Sequence, residues 1–156
     1  MATLQVGRGL EEYLSALENL EFHAEGMAGQ AIYEGAKVVA DAVKNNLEAL
    51  PTKKPHEHSD GRRNPTPEEK QGLIDGFGIS RKETRNGYIN VKLGFSGSNA
   101  NGSKNSSVAM RFEAGTTDCE RLAPVAKAVR QSRGAAEEAI RKSFETALAK
   151  EMEKNG

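Results

Sequence analysis

Between Ile89 and Phe95 every second residue is apolar: Ile89, Val91, Leu93 and Phe95 alternate with Asn90, Lys92 and Gly94. A period of two puts the four apolar side chains on one face of a strand, and that face has to be covered. Phe77 and Ile79 begin a matching run upstream, and Asn86-Gly87 marks a hairpin turn between the two. A two-residue turn at Asn86-Gly87 pairs Ile79 with Gly94 and leaves Phe77 and Ile79 on the polar face. A three-residue loop, Arg85-Asn86-Gly87, sets Ile79 opposite Leu93 and Phe77 opposite Phe95. Because a slip of one residue exposes a whole apolar face, the sequence favours the three-residue loop, with Gly87 as a left-handed bulge.

Helices are expected on either side of this hairpin. Leu10, Tyr13, Leu14, Leu17 and Leu20 fall at helical spacing, with Glu11 and Glu12 in the first turn, where the helix dipole favours anions. A second, longer helix is predicted over about 27–50, with Ile32, Ala36, Val39, Val43 and Leu47 as its apolar stripe and Pro51 as its end. Residues 51–65 carry three prolines and are expected to form a mobile loop. Thr66-Pro67-Glu68-Glu69 has the pattern of a capping box, opening a short helix that ends near Gly76. Residues 97–107 are polar and of low complexity, and are expected to form a second mobile loop. Val108 to Glu113 fits either a strand or a short helix. Leu122, Val125, Val129, Ala136, Ile140, Phe144, Leu148 and Met152 mark a last helix, with a bend expected at Ser132-Arg133-Gly134. The expected fold is α+β in a single domain over residues 1–156. A small antiparallel sheet, with the hairpin of about 77–96 at its centre, packs against a long N-terminal helix and a C-terminal helix.

Composition excludes several functions. The chain of 156 residues has 22 basic and 22 acidic side chains, so it lacks the cationic excess of a broad nucleic-acid or membrane binder. One cysteine excludes a disulfide framework and every multi-cysteine zinc site. No apolar run suits a signal peptide or a membrane span, which points to a soluble protein of a reducing cytosol.

The chemical candidates are weak. His56-Glu57-His58 with Asp60 offers two imidazoles and two carboxylates, but on a Pro-rich loop that lacks the rigidity of a metal site. Gly7-Arg8-Gly9 and Gly76-Phe77-Gly78 both lack the third glycine of a dinucleotide fingerprint. Gly94-Phe95-Ser96-Gly97-Ser98 narrowly fails the nucleophile-elbow pattern. Cys119 lies between Asp118 and Glu120, which disfavour a thiolate. Lys53, Lys54, Arg62 and Arg63 have no interleaved aromatic residue and read as a solvated loop. No catalytic, cofactor-binding or metal site is expected.

The order of segments carries more than any one of them. Glu34-Gly35-Ala36-Lys37-Val38-Val39 lies in the long helix. Gly72-Leu73-Ile74-Asp75-Gly76-Phe77-Gly78-Ile79-Ser80 precedes the hairpin, Val91-Lys92-Leu93-Gly94-Phe95-Ser96-Gly97 closes it, and Arg111-Phe112-Glu113-Ala114-Gly115-Thr116 follows. This layout resembles the tail-completion, or head–tail joining, proteins of long-tailed bacteriophages. The family's Pro-Phe-x-Arg-Pro-Ala stretch is replaced here by Ala123-Pro124-Val125-Ala126-Lys127-Ala128. The resemblance implies a structural virion protein with no enzymatic activity and no cofactor, made in the bacterial host cytoplasm. It further implies a homo-oligomeric ring, hexameric in the family, at the top of the tail, contacting other neck and tail-tube proteins, with DNA passing through it.

Phe112, Glu113, Gly115 and Thr116 are the expected subunit or partner contact. Gly115 permits a tight turn, Thr116 caps the following backbone, and Glu113 reaches a basic group or a helix N-terminus on a neighbour. The intramolecular alternative has Glu113 capping its own C-terminal helix. Two other functions compete: a small metal-dependent hydrolase or nuclease using His56 and His58, and a monomeric cytosolic interaction module.

Overall fold

The computed structural model describes residues 11–52, 61–86 and 88–154. The architecture is α+β: four helices and two small antiparallel two-stranded sheets, with the sheets lying centrally in the chain order. The first element is α1 (Glu11–Glu48), one continuous helix where the sequence suggested two. Gly26 and Gly29 lie between the two apolar stripes, and each helical glycine costs only about 1 kcal/mol. That is too little to end a helix whose later part, from about residue 26 to 48, packs against α4.

The second long helix is α4 (Pro124–Lys154), which passes through Gly134 without a break in helical structure. It runs antiparallel to α1: Asn46 Nδ2 donates to the Pro124 carbonyl at 3.0 Å at one end, and Ile140 and Ala136 lie over Gly35 further along. Small residues make this contact. Ala31 and Gly35 are buried on α1, and Ala128, Ser132 and Ala136, four apart, on α4. A Cβ at Gly35 would come within 2.5 Å of Ile140 Cγ1. Two residues expected in the apolar stripe of α4, Val129 and Met152, are instead exposed. The buried row runs through Ala128 and Ser132, which let the helix axes approach more closely than Val129 would.

Between the long helices lies a compact head. α2 (Pro67–Gly76) opens with the expected capping box: Glu69 N–H donates to Thr66 Oγ1 at 3.1 Å, and Thr66 N–H donates to Glu69 Oε1 at 3.0 Å. Strands β1 (Phe77–Ile79), β2 (Glu83–Arg85), β3 (Tyr88–Asn90) and β4 (Leu93–Phe95) follow. Then comes α3 (Asn105–Ala114), which settles residues 108–113 as helix and takes 105–107 out of the expected polar loop. The remaining 97–104 segment is closed by a Ser98–Lys104 bridge and by Asn99 Oδ1, which accepts from the N–H groups of Asn101 and Ser103.

The hairpin register combines the two alternatives posed by the sequence. At its base Phe77 pairs with Phe95 and Ile79 with Leu93, as the apolar face requires, and the two phenyl centroids lie 5.3 Å apart. At its tip Arg85 pairs with Tyr88, so the turn has two residues rather than three. Asn86 takes a positive φ of 54°, as a two-residue hairpin turn demands; Gly87 lies outside the described residues. The ladders differ by one residue because 80–82 on the first arm face only 91–92 on the second. That extra residue is a bulge. It lets a tight turn and a correctly buried base coexist, while splitting the ribbon into two short sheets.

The core joins all these elements. Val43, Leu47 and Leu50 from the end of α1 meet Leu73, Phe77, Val108, Phe112, Cys119 and Ala128.

Candidate assembly surface

The four residues expected to form a contact sit together at the junction between α3 and α4. Phe112 has no exposed surface, so it belongs to the core and cannot itself touch a partner. Its carbonyl accepts from both Leu122 N–H (2.9 Å) and Ala123 N–H (3.1 Å), folding the junction back on α3. Gly115 ends α3 with φ 78° and ψ 155°, a conformation open essentially to glycine alone. Thr116 Oγ1 accepts from the N–H groups of Asp118 (3.2 Å) and Cys119 (2.9 Å) and so closes the turn as expected.

Glu113 caps α4. Its Oε2 accepts from Val125 N–H at 3.0 Å and its Oε1 from Ala126 N–H at 2.7 Å. The sequence explains why a distant side chain is needed. The residue before the helix is Ala123, which has no capping oxygen, and Pro124 has no N–H. The next two N–H groups therefore look outward, and a carboxylate also complements the positive end of a 31-residue helix. This is the intramolecular alternative for Glu113. Two of the roughly four acceptor positions of the carboxylate remain open.

A second anchor reaches the same junction from the other side. Arg63 forms a two-pronged ion pair with Glu69, 2.6 Å and 3.2 Å long, and its guanidinium lies 5.4 Å from the Phe112 ring centroid. Its backbone bonds Asp118 and Glu120 on either side of Cys119. Burial alone would push the Glu69 carboxyl up. The Arg63 and Thr66 hydrogen bonds and the Arg63 charge outweigh it and hold the group below its usual value. Expected to belong to a solvated loop, Arg63 instead pins residues 61–65 to the head. Nothing local in the sequence marks it, because its partners lie six and about fifty-five residues away.

Beside Glu113 lies an apolar groove of about 260 Å³, walled by Leu47, Leu73, Phe95, Met110 and Val125. Met110 stands at its rim with 72% of its surface exposed. Tyr88, at the tip of the hairpin, is exposed to a similar degree, 74%, and these two exceed Val129 and Met152 of α4. Neither was singled out from the sequence, although both occupy readable positions. Tyr88 falls on the polar face of the 89–95 alternation, and Met110 lies between the buried Val108 and Phe112 of α3.

His56, Glu57, His58 and Asp60 lie outside the described residues. Among the described residues there is no group of three or more potential metal ligands, and no helix is long and apolar enough to cross a membrane. Comparisons with protein-family models, curated proteins and solved structures find no match to this chain.

Proposed function

We propose that this chain is a structural virion protein of a long-tailed phage or prophage that completes the tail, or joins head to tail, by assembling into a ring at the top of the tail. The observation that carries this reading is the open apolar groove beside the α3–α4 junction, with exposed Met110 at its rim. An exposed apolar surface next to a rigidly capped junction suits a subunit that buries the surface on assembly. The order of the Glu34–Val39, Gly72–Ser80, Val91–Gly97 and Arg111–Thr116 segments, which resembles the tail-completion family, supports the identity of the assembly. The two short sheets add a further means of association, since each strand has one unpaired edge among the described residues. The protein is assigned no reaction and no cofactor; its partners are further copies of itself and the neighbouring neck and tail-tube proteins.

Deleting the reading frame from the phage or prophage that carries it tests the proposal. Electron microscopy is expected to show filled heads and separate tails, with joining restored by the protein supplied in trans. Normal, infectious particles from the deletion would overturn it.

A further inference from the structure

We propose that the hairpin tip of one copy docks in the groove of the next, with Tyr88 on the apolar floor and Arg85 pairing with Glu113. This rests on the self-assembly put forward above and names the surfaces that perform it.

The two surfaces are chemically matched. Arg85 and Tyr88 are directly opposed across the tip, so their side chains share one face of the ribbon. The opposite face carries Thr84 and Ile89, of which Ile89 is half-buried. The outward face therefore presents an aromatic ring beside a guanidinium, the pairing most enriched at the centres of protein interfaces. The groove offers the complement, an apolar floor with Glu113 as the one charged side chain among the described residues that line it. Glu113 keeps acceptor positions free after capping α4, and Arg85 is exposed. The wider charge agrees: the 80–92 arm carries Arg81, Lys82, Arg85 and Lys92 against Glu83 alone. A tyrosine buries about 150–250 Å² of surface, and its ring is of a size that the groove of about 260 Å³ accommodates.

The tip cannot serve its own groove. The hairpin runs back along α1, where Lys82 lies against Gly29. Gly29 is 18 residues, about 27 Å of helix, from Leu47 in the groove wall. Tip and groove thus lie well apart on one subunit. Joining the tip of one copy to the groove of another is a heterologous contact, which closes into a ring when the rotation per subunit allows.

Full-length chains with different tags, one carrying Tyr88→Cys and the other Met110→Cys, are mixed, concentrated and oxidised, with the unsubstituted chain and its buried Cys119 as control. A disulfide joining the two tags is expected. Its absence, or a preference for disulfides within each tag, would overturn the proposal. In parallel, Tyr88→Ser and Arg85→Glu should each weaken self-association by about tenfold or more in sedimentation, without changing the melting temperature. If the native chain associates and both variants associate equally well, the docking is wrong while self-assembly stands. If only Met110→Ser weakens association, the groove holds something other than the hairpin and the docking is again wrong. If the deletion phage is normal yet the mixed disulfide forms, the virion role fails and the docking survives.

Discussion

Where α1 and α4 run side by side, they approach through small buried residues, Ala31 and Gly35 on α1 and Ala128, Ser132 and Ala136 on α4, with Ile140 filling the space over Gly35, and their outer faces carry exposed pairs such as Glu138–Arg141 at 2.7 Å. In the head, by contrast, long polar side chains reach across sequence to specific partners: Glu113 to the backbone N–H groups at the start of α4, Arg63 to the Glu69 carboxylate and over the Phe112 ring. The helical pair is held by closeness and the head by direction. A contact of the first kind tolerates exchange of one exposed residue for another but no added volume. A contact of the second kind fails when one partner is removed, because buried polar groups are left unmatched.

The sharpest test of the head is Phe112→Ala, which empties the centre of the core. It should lower stability by about 3–5 kcal/mol, read as the midpoint of urea unfolding. A loss under about 1 kcal/mol, the scale of a tolerated swap, would mean that the head is no better packed than the helical pair. Gly35→Val tests the pair in the opposite sense by adding volume where Ile140 and the Ala136 carbonyl leave none. The expected loss is about 1–3 kcal/mol, whereas a neutral result would show that the helices separate freely.

Glu69→Gln should cost about 1–2 kcal/mol at neutral pH through the weakened Arg63 bonds. The carboxyl is held below its usual value in the folded chain. Its stabilisation is therefore complete above the ordinary glutamate range and is lost as pH falls through the lowered value. The difference between the native chain and the Glu69→Gln variant should shrink across that acidic window, and a difference that persists there would remove the ion pair as its cause. Glu113→Ala should cost about 0.5–2 kcal/mol, the scale of a lost helix cap. Helix α4 should then fray first at 124–127, which hydrogen exchange would detect. Smallest of all, Arg141→Ala, which breaks an exposed pair, should leave the unfolding midpoint unchanged. A clear shift there would mean that the outer face of the pair is directed too.

What the sequence made legible follows the same division. The Thr66–Glu69 capping box and the pairing of Phe77 with Phe95 were readable because each depends on residues within a few positions or on a strict period. The length of α1 was missed because its apolar residues fall into two stripes, Leu10–Leu20 and Ile32–Leu47, and periodicity within each says nothing about whether the helix continues between them. Ala128 and Ser132 were passed over for Val129, since apolar periodicity rewards large residues and says nothing about how closely two helices approach. In the junction, the turn roles of Gly115 and Thr116 were legible from local chemistry. That Phe112 is fully buried and that Arg63 stacks on it were not, because both depend on chain segments far apart in sequence. The groove and Tyr88 escaped for a related reason: a surface exists only once distant elements are placed side by side.

The extra residue at 80–82 separates two design problems that an unbroken ladder would couple. Without it, the parity of the turn would dictate which face of the base is buried, and a change of one residue in turn length would turn Phe77 and Phe95 outward. With it, residues 83–90 become a module whose outward face is set independently of the core. The tip can be exchanged, lengthened in pairs or given new side chains while the base stays in register. A chain built on this plan can vary the side chains at its tip without disturbing the base that carries them.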